Sequence, residues 1–180
     1  HKVQEQLAAH TAFALGRERA LSLEPTADLE TIEARQRKTA EALEIIGREG
    51  GLPLGGVRDI REHLHRAQMG STLSPESLLE IGSTLYCTGR VRRFLLDKAP
   101  EGSILRELAQ RLEPAPVLQD QIERCIGDDG EILDSASSAL RTIRNRMRSL
   151  QGRIREKLES IIHNSRYQKI LQDGIITLRN

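Results

Sequence analysis

SSALRTIRNRMRSLQGRIREKLESIIH, residues 137–163, is helical by its spacing alone. Leu140, Ile143, Met147, Leu150, Ile154, Leu158 and Ile161 recur at intervals of three or four, the period of one helical face. Seven basic residues fall between them: Arg141, Arg144, Arg146, Arg148, Arg153, Arg155 and Lys157. At 100° per residue these cations run along the edges of the apolar stripe. Arg144, Arg148 and Arg155 line one edge; Arg146, Arg153 and Lys157 line the other. Thr142, Asn145, Ser149, Gly152 and Ser160 fall on the back. The result is a rod about 40 Å long. Leu140, Met147, Ile154 and Ile161 keep a heptad register, but the companion series Ile143 and Leu150 meets Lys157, and Leu158 takes over. That drift predicts a straight helix packed on neighbours rather than a sustained coiled coil.

The sign of charge along this rod is almost uniform. Like charges on adjacent turns repel unless a polyanion, or the acidic tract just upstream, lies against them. Arginine outnumbers lysine, and its planar fork is the better phosphate partner. Arg141, Arg144, Arg146, Arg148, Arg153, Arg155 and Lys157 are therefore the candidate nucleic-acid contacts, with Arg144, Arg148 and Arg155 foremost. A solvated charged face is the alternative. The upstream tract contains Glu113, Asp120, Glu123, Asp128, Asp129, Glu131 and Asp134, opposed by Arg124. The net charge of +1 thus conceals two segments of opposite sign.

Working back to the start of the chain, Val3–His10 and Ala12–Leu21 read as short helices, and Pro25 closes that opening. Leu29–Ile46 is a long amphipathic helix capped by Thr26 or Asp28. Gly47–Gly56 is glycine-rich, but Val57 and Arg58 follow where a P-loop has Gly-Lys-Ser/Thr, so it reads as an inter-helix loop. Val57–Met69 is helical. Ser74-Pro75-Glu76 then starts a strong core helix through Leu96, with serine as cap and proline in the first helical position. Helices at Ser103–Leu112 and Pro116–Cys125 follow. The Gly127–Gly130 turn between short apolar pieces suggests a small hairpin over Cys125–Leu133. After the rod come a helical turn, Arg166–Leu171, and a strand pattern, Ile175–Leu178, which reads as cut from something longer. The fold class expected is all-α.

At 180 residues, 38% hydrophobic and 29% charged, the chain can bury a real core. Aromatic residues are 2%, confined to Phe13, Tyr86, Phe94 and Tyr167, which argues against a base-stacking platform for single strands and makes a deep aromatic-lined small-molecule pocket less expected. Cys87 and Cys125 lack CxxC spacing and read as reduced thiols. His63 and His65, two apart on a helix, point away from each other and cannot share a metal. Asp128, Asp129 and Glu131 lack the calcium-loop series. No Gly-x-Ser-x-Gly elbow is present. No catalytic set, cofactor site or metal site is therefore expected in this chain, nor a membrane span or signal peptide; a cytoplasmic location follows as an expectation.

Four stretches, VQEQLAAHTAFALGRERALSLEP (3–25), GGLPLGGVRDIREHLHRAQMGSTLSPESLLEI (50–81), DDGEILDSASSALRTIRNRMRSLQGRIREKLESI (128–161) and SRYQKILQDGIITLRN (165–180), resemble the amino-terminal part of bacterial MutS-like proteins, in the recombination-suppressing, Smr-containing endonuclease branch. The resemblance runs nearly the whole chain. Where the family has Pro-Glu after the capping serine, this chain has Ser138-Ala139. The resemblance implies a helical core domain over 1–113 and a lever segment over 114–180, made of the hairpin, the long basic helix and a truncated strand. It further implies that the clamp, ATPase and Smr nuclease parts lie beyond, with ATP and Mg bound there. The implied partners of the whole protein are branched or duplex DNA, ribosomal RNA and a second copy in a homodimer; since the family's ATPase domains carry most of the dimer contact, the resemblance implies that this piece is mainly monomeric.

Overall fold

The computed structural model describes residues 2–164 and Tyr167. Among them are eight helices and no strand: α1 (Lys2–Ala9), α2 (Ala14–Leu21), α3 (Leu29–Glu49), α4 (Arg61–Gln68), α5 (Pro75–Lys98), α6 (Ile104–Gln110), α7 (Pro116–Cys125) and α8 (Ser138–Ile162). The described fold is all-α. The strand read at Ile175–Leu178 and, apart from Tyr167, the helical turn at Arg166–Leu171 lie outside the described residues. The chain divides into two compact units, one ending at Ile132 and the other beginning at Leu133.

The first unit is built on α5. Ser74 accepts a hydrogen bond from the Ser77 amide at 3.3 Å, and Pro75 occupies the first turn, so the helix starts where a cap and a pre-set φ coincide. Its buried residues serve two apolar clusters. Leu95 joins Ile45 of α3, Ala99 and Ala109 of α6, while Ile81 joins Ile122 of α7 and Ile126. Gly82 lets α7 come close, because a Cβ there would stand 3.4 Å from Ile122 Cγ2. Between α3 and α6, the Leu105 amide donates to Glu41 Oε2 at 3.2 Å. Arg106 closes the α5–α6 corner by donating to the Leu96 and Ala99 carbonyls at 2.6 and 3.0 Å.

Two boundaries differ from the sequence reading by three residues or more. α3 runs to Glu49, into the glycine-rich stretch, and α4 begins at Arg61 rather than Val57. The segment between them is strapped to α5. Cys87 Sγ donates to the Pro53 carbonyl at 3.3 Å, Ser83 Oγ to the Gly56 carbonyl at 2.8 Å, and the Arg58 amide to Thr84 Oγ1 at 3.0 Å. Gly56 has φ +104°, and a Cβ there would lie 3.0 Å from Ser83 Oγ, so this approach needs glycine on both counts. Helical geometry over 57–60 would break those tertiary bonds. The loop's carbonyls are engaged by α5 side chains, an arrangement unlike a phosphate cradle.

Between α7 and Leu133 the chain makes one isolated antiparallel bridge, Ile126 to Ile132. The Gly127 amide donates to the Glu131 carbonyl at 2.8 Å and the Gly130 amide to the Gly127 carbonyl at 2.9 Å. Cys125 is still helical, so no second rung of a ladder forms there.

Candidate nucleic-acid interface

In the second unit, Ser137 caps α8, its Oγ accepting from the Leu140 amide at 3.0 Å. Pro-Glu is not needed for that bond: the β-region backbone of Ser137 and the hydroxyl suffice. Twenty-five helical residues make a rod of about 38 Å. No residue of α8 is buried. Its apolar stripe is bare, with Ile143 and Ile154 each 57% exposed, Met147 54% and Leu150 46%.

The two basic edges differ in what they hold. On one, Asp134 takes both leading arginines. Arg144 Nη1 donates to its Oδ1 at 2.8 Å and Arg148 Nη2 to its Oδ2 at 2.5 Å. The Arg144 hydrogen bond, then that of Arg148, holds the Asp134 carboxyl below its ordinary value. Further along, Arg155 Nε donates to Glu159 Oε1 at 3.3 Å, an i,i+4 pair. On the other edge Arg146, Arg153 and Lys157 are exposed, and among the described residues they carry no carboxylate partner. Arg141 is likewise exposed and without an ion pair there. A shallow depression lined by Leu150, Arg153, Ile154, Glu156, Lys157 and Ser160 runs along this second edge, so apolar groups, two cations and one carboxylate share one open surface.

The upstream carboxylate that compensates the first edge is Asp134, the last residue of the acidic tract. That pairing was visible in the sequence only as adjacency of opposite charges. Glu159 was legible from its i,i+4 spacing to Arg155. Among the described residues there is no group of three or more His, Cys, Asp or Glu able to hold a metal ion. His63 Nε2 lies 2.7 Å from Glu80 Oε2, a contact between α4 and α5. Both cysteines are free, and burial pushes the Cys87 thiol up. No helix among the described residues is long and apolar enough to cross a membrane.

No family model matches the chain. It is 45% identical over 183 residues to the Endonuclease MutS2 of Bacillus mycoides (strain KBAB4), spanning 100% of this chain and 23% of that protein. It is 46% identical over 182 residues to the Endonuclease MutS2 of Bacillus cytotoxicus, spanning 99% and 23%. Identity of that order along the entire length makes the chain a member of the MutS-like family. Within that family it falls in the MutS2 branch, and it spans 23% of the length of the curated relatives it matches.

Proposed function

We propose that this chain is a non-catalytic core-and-lever module of a MutS-like ATPase that binds DNA, ribosomes or both, in suppressing recombination or rescuing ribosomes in the cytoplasm. Residues 1–113 form the helical core, residues 114–180 the lever segment, and α8 is one arm of the lever linking the ATPase to a nucleic-acid-facing clamp. ATP with Mg, the homodimer contacts and the nuclease belong to parts of the protein outside this chain.

One observation carries the reading: Arg146, Arg153 and Lys157 stand along one edge of an exposed helix and make no ion pair among the described residues, although Glu156 borders the same depression. Cations held along a rigid rod without an ion pair are available to backbone phosphates, and such contacts position without reading sequence. The sequence favoured Arg144, Arg148 and Arg155; their pairing with Asp134 and Glu159 moves the proposal to the opposite edge.

The test is charge reversal of Arg146, Arg153 and Lys157 together, with binding to branched and duplex DNA and to structured ribosomal RNA followed across a salt series. Each lost phosphate contact lowers the slope of log affinity against log salt by about 0.9 on duplex DNA, so three contacts change it by about 2.7. Reversal of Arg144, Arg148 and Arg155 produces a smaller change. The pairing of that first edge also favours a second reading, a structural helical module with a solvated basic face; an unchanged slope in both variants selects it. The purified chain is expected to hydrolyse no ATP and cut no DNA, and turnover that follows the protein through successive columns contradicts the module assignment.

A further inference from the structure

A second cationic surface lies on α5. Arg90, Arg92 and Arg93 fall within four consecutive positions, and among the described residues none of the three takes part in an ion pair. Other arginines of the same unit are held: Arg48 by Glu44 and Glu49, Arg61 by Asp59 and Glu18, Arg106 by two carbonyls. Like charges this close repel, and no carboxylate among the described residues forms an ion pair with them. Arg92 is half-buried and its Nε is shut away from solvent with no acceptor, an unsatisfied donor that native structures rarely leave.

The three arginines line a groove between α5 and the corner formed by Pro114, Pro116 and the start of α7. Tyr86 stands on the same side of α5, one turn before Arg90, and is 51% exposed. The Arg90 guanidinium lies over one face of its ring, 5.7 Å from the centroid, a cation–π contact that leaves the other face for a stacked base. Two acids also border the groove. Asp97 is held by Lys98 Nζ at 3.2 Å, which leaves Asp120 as the one groove carboxylate without an ion pair among the described residues. Three free cations against one free acid make the groove positive.

We infer that this groove binds a single nucleic-acid strand, with Arg92 and Arg93 on its phosphates and the Tyr86–Arg90 pair stacked on an unpaired base. The ring excludes a duplex as the ligand, because a stacked base pair offers no open face to it. The groove is open along its length, which suits a polymer better than an enclosed mononucleotide. One platform, rather than a row of rings, gives no sequence preference. The inference rests on α5 alone and is independent of α8.

The test titrates the 180-residue chain against short fluorescent oligothymidylate, oligouridylate and a duplex, each at several salt concentrations, by anisotropy. Replacing Arg90, Arg92 and Arg93 by glutamine is expected to lower the single-strand salt slope by about 1.4, at roughly 0.7 for each of the two phosphates held by Arg92 and Arg93. Tyr86→Leu is expected to weaken single-strand binding about tenfold while leaving the slope unchanged. Because the Arg92 stem is half-buried, the R90Q/R93Q pair serves as a second variant, with circular dichroism reporting the fold; its expected slope change is about 0.7, from the Arg93 contact alone. Duplex binding stays at the parental level in all three. Parental single-strand affinity and slope in the arginine variants overturn the inference. So does a Tyr86→Leu variant that behaves as the parent while polyglutamate competes with the oligonucleotides, which makes the groove an acidic-peptide site. Reversal of Arg146, Arg153 and Lys157 is run beside them: loss of duplex binding there bears on α8, and loss of single-strand binding in the α5 variants bears on this groove.

Discussion

Asp134 carries more consequence than any other single side chain in the second unit. One carboxylate, three residues ahead of the cap Ser137, holds two guanidinium groups ten and fourteen positions on. Removing its charge releases both. Asp134→Asn is therefore expected to strengthen binding to duplex DNA and to steepen the salt slope by up to about 1.8, as two further phosphates are engaged; a filter-binding series against the parent checks it. The opposite edge needs no such release, so the gain should vanish when Arg144 and Arg148 are also neutralised. A comparable carboxylate in the first unit is Asp59. Hydrogen bonds from Arg61 hold it down to about 2 from an ordinary 3.8, and Arg61 also takes Glu18 of α2. A folded-state value below the unfolded one gives stability that is present above pH ~3.8 and is lost as pH falls towards ~2. Asp59→Asn should flatten acid unfolding within that window, as followed by circular dichroism. The change should be small, because exposed pairs are screened by solvent.

Among the elements, α3, α5 and α6 meet at Ile45, which is 2% exposed and packs with Leu95, Ala99 and Ala109. Ile45→Ala removes apolar contact from a site that cannot collapse around the gap, and is expected to cost about 2–5 kcal/mol and lower the melting temperature. The existence of these helices was legible from periodicity and punctuation: Ser74-Pro75 marks the start of α5, and Ser137 to His163 brackets α8 with its caps. The start of α4 was not legible. Val57–Ile60 has helix-compatible residues, but Ser83, Thr84 and Cys87, 26 to 34 positions away, hold Pro53 to Arg58 in another conformation. Local spacing contains no record of bonds at that separation. The hairpin shrank to one bridge because α7 continues through Cys125. For the candidate site the limit is similar. Rotation at 100° per residue separated the two basic edges of α8, whereas the choice between them depends on where Asp134 reaches. The run Arg90-Val91-Arg92-Arg93 was in plain view, but that its cations lack partners is a tertiary fact.

At the scale of the molecule, 27 basic and 26 acidic side chains nearly cancel, yet they are not mixed. The bare stripe of α8 sets hydrophobic association against electrostatic repulsion. Ile143, Met147, Leu150 and Ile154 offer an apolar surface that a second copy can cover. Two such stripes laid together bring Arg146, Arg153 and Lys157 of each copy within a screening length of the other's, since that length is about 10 Å at 0.1 M salt. Repulsion between those edges opposes the contact when salt is low and fades as salt rises, while burial of the stripe is favoured throughout. The chain is accordingly expected to sediment as a monomer at low ionic strength and micromolar concentration, and to self-associate increasingly as salt is added. Met147→Glu, at the middle of the stripe, should abolish the association without loss of helix, because its side chain is exposed in the single chain. Reversal of Arg146, Arg153 and Lys157 to acids should leave the salt trend in place, as the edges then repel with the other sign, whereas replacing them by glutamine should allow association at low salt. A dimer that is tight at low salt and loosened by adding it contradicts this account, since its basic edges must then face carboxylates of the other copy rather than each other.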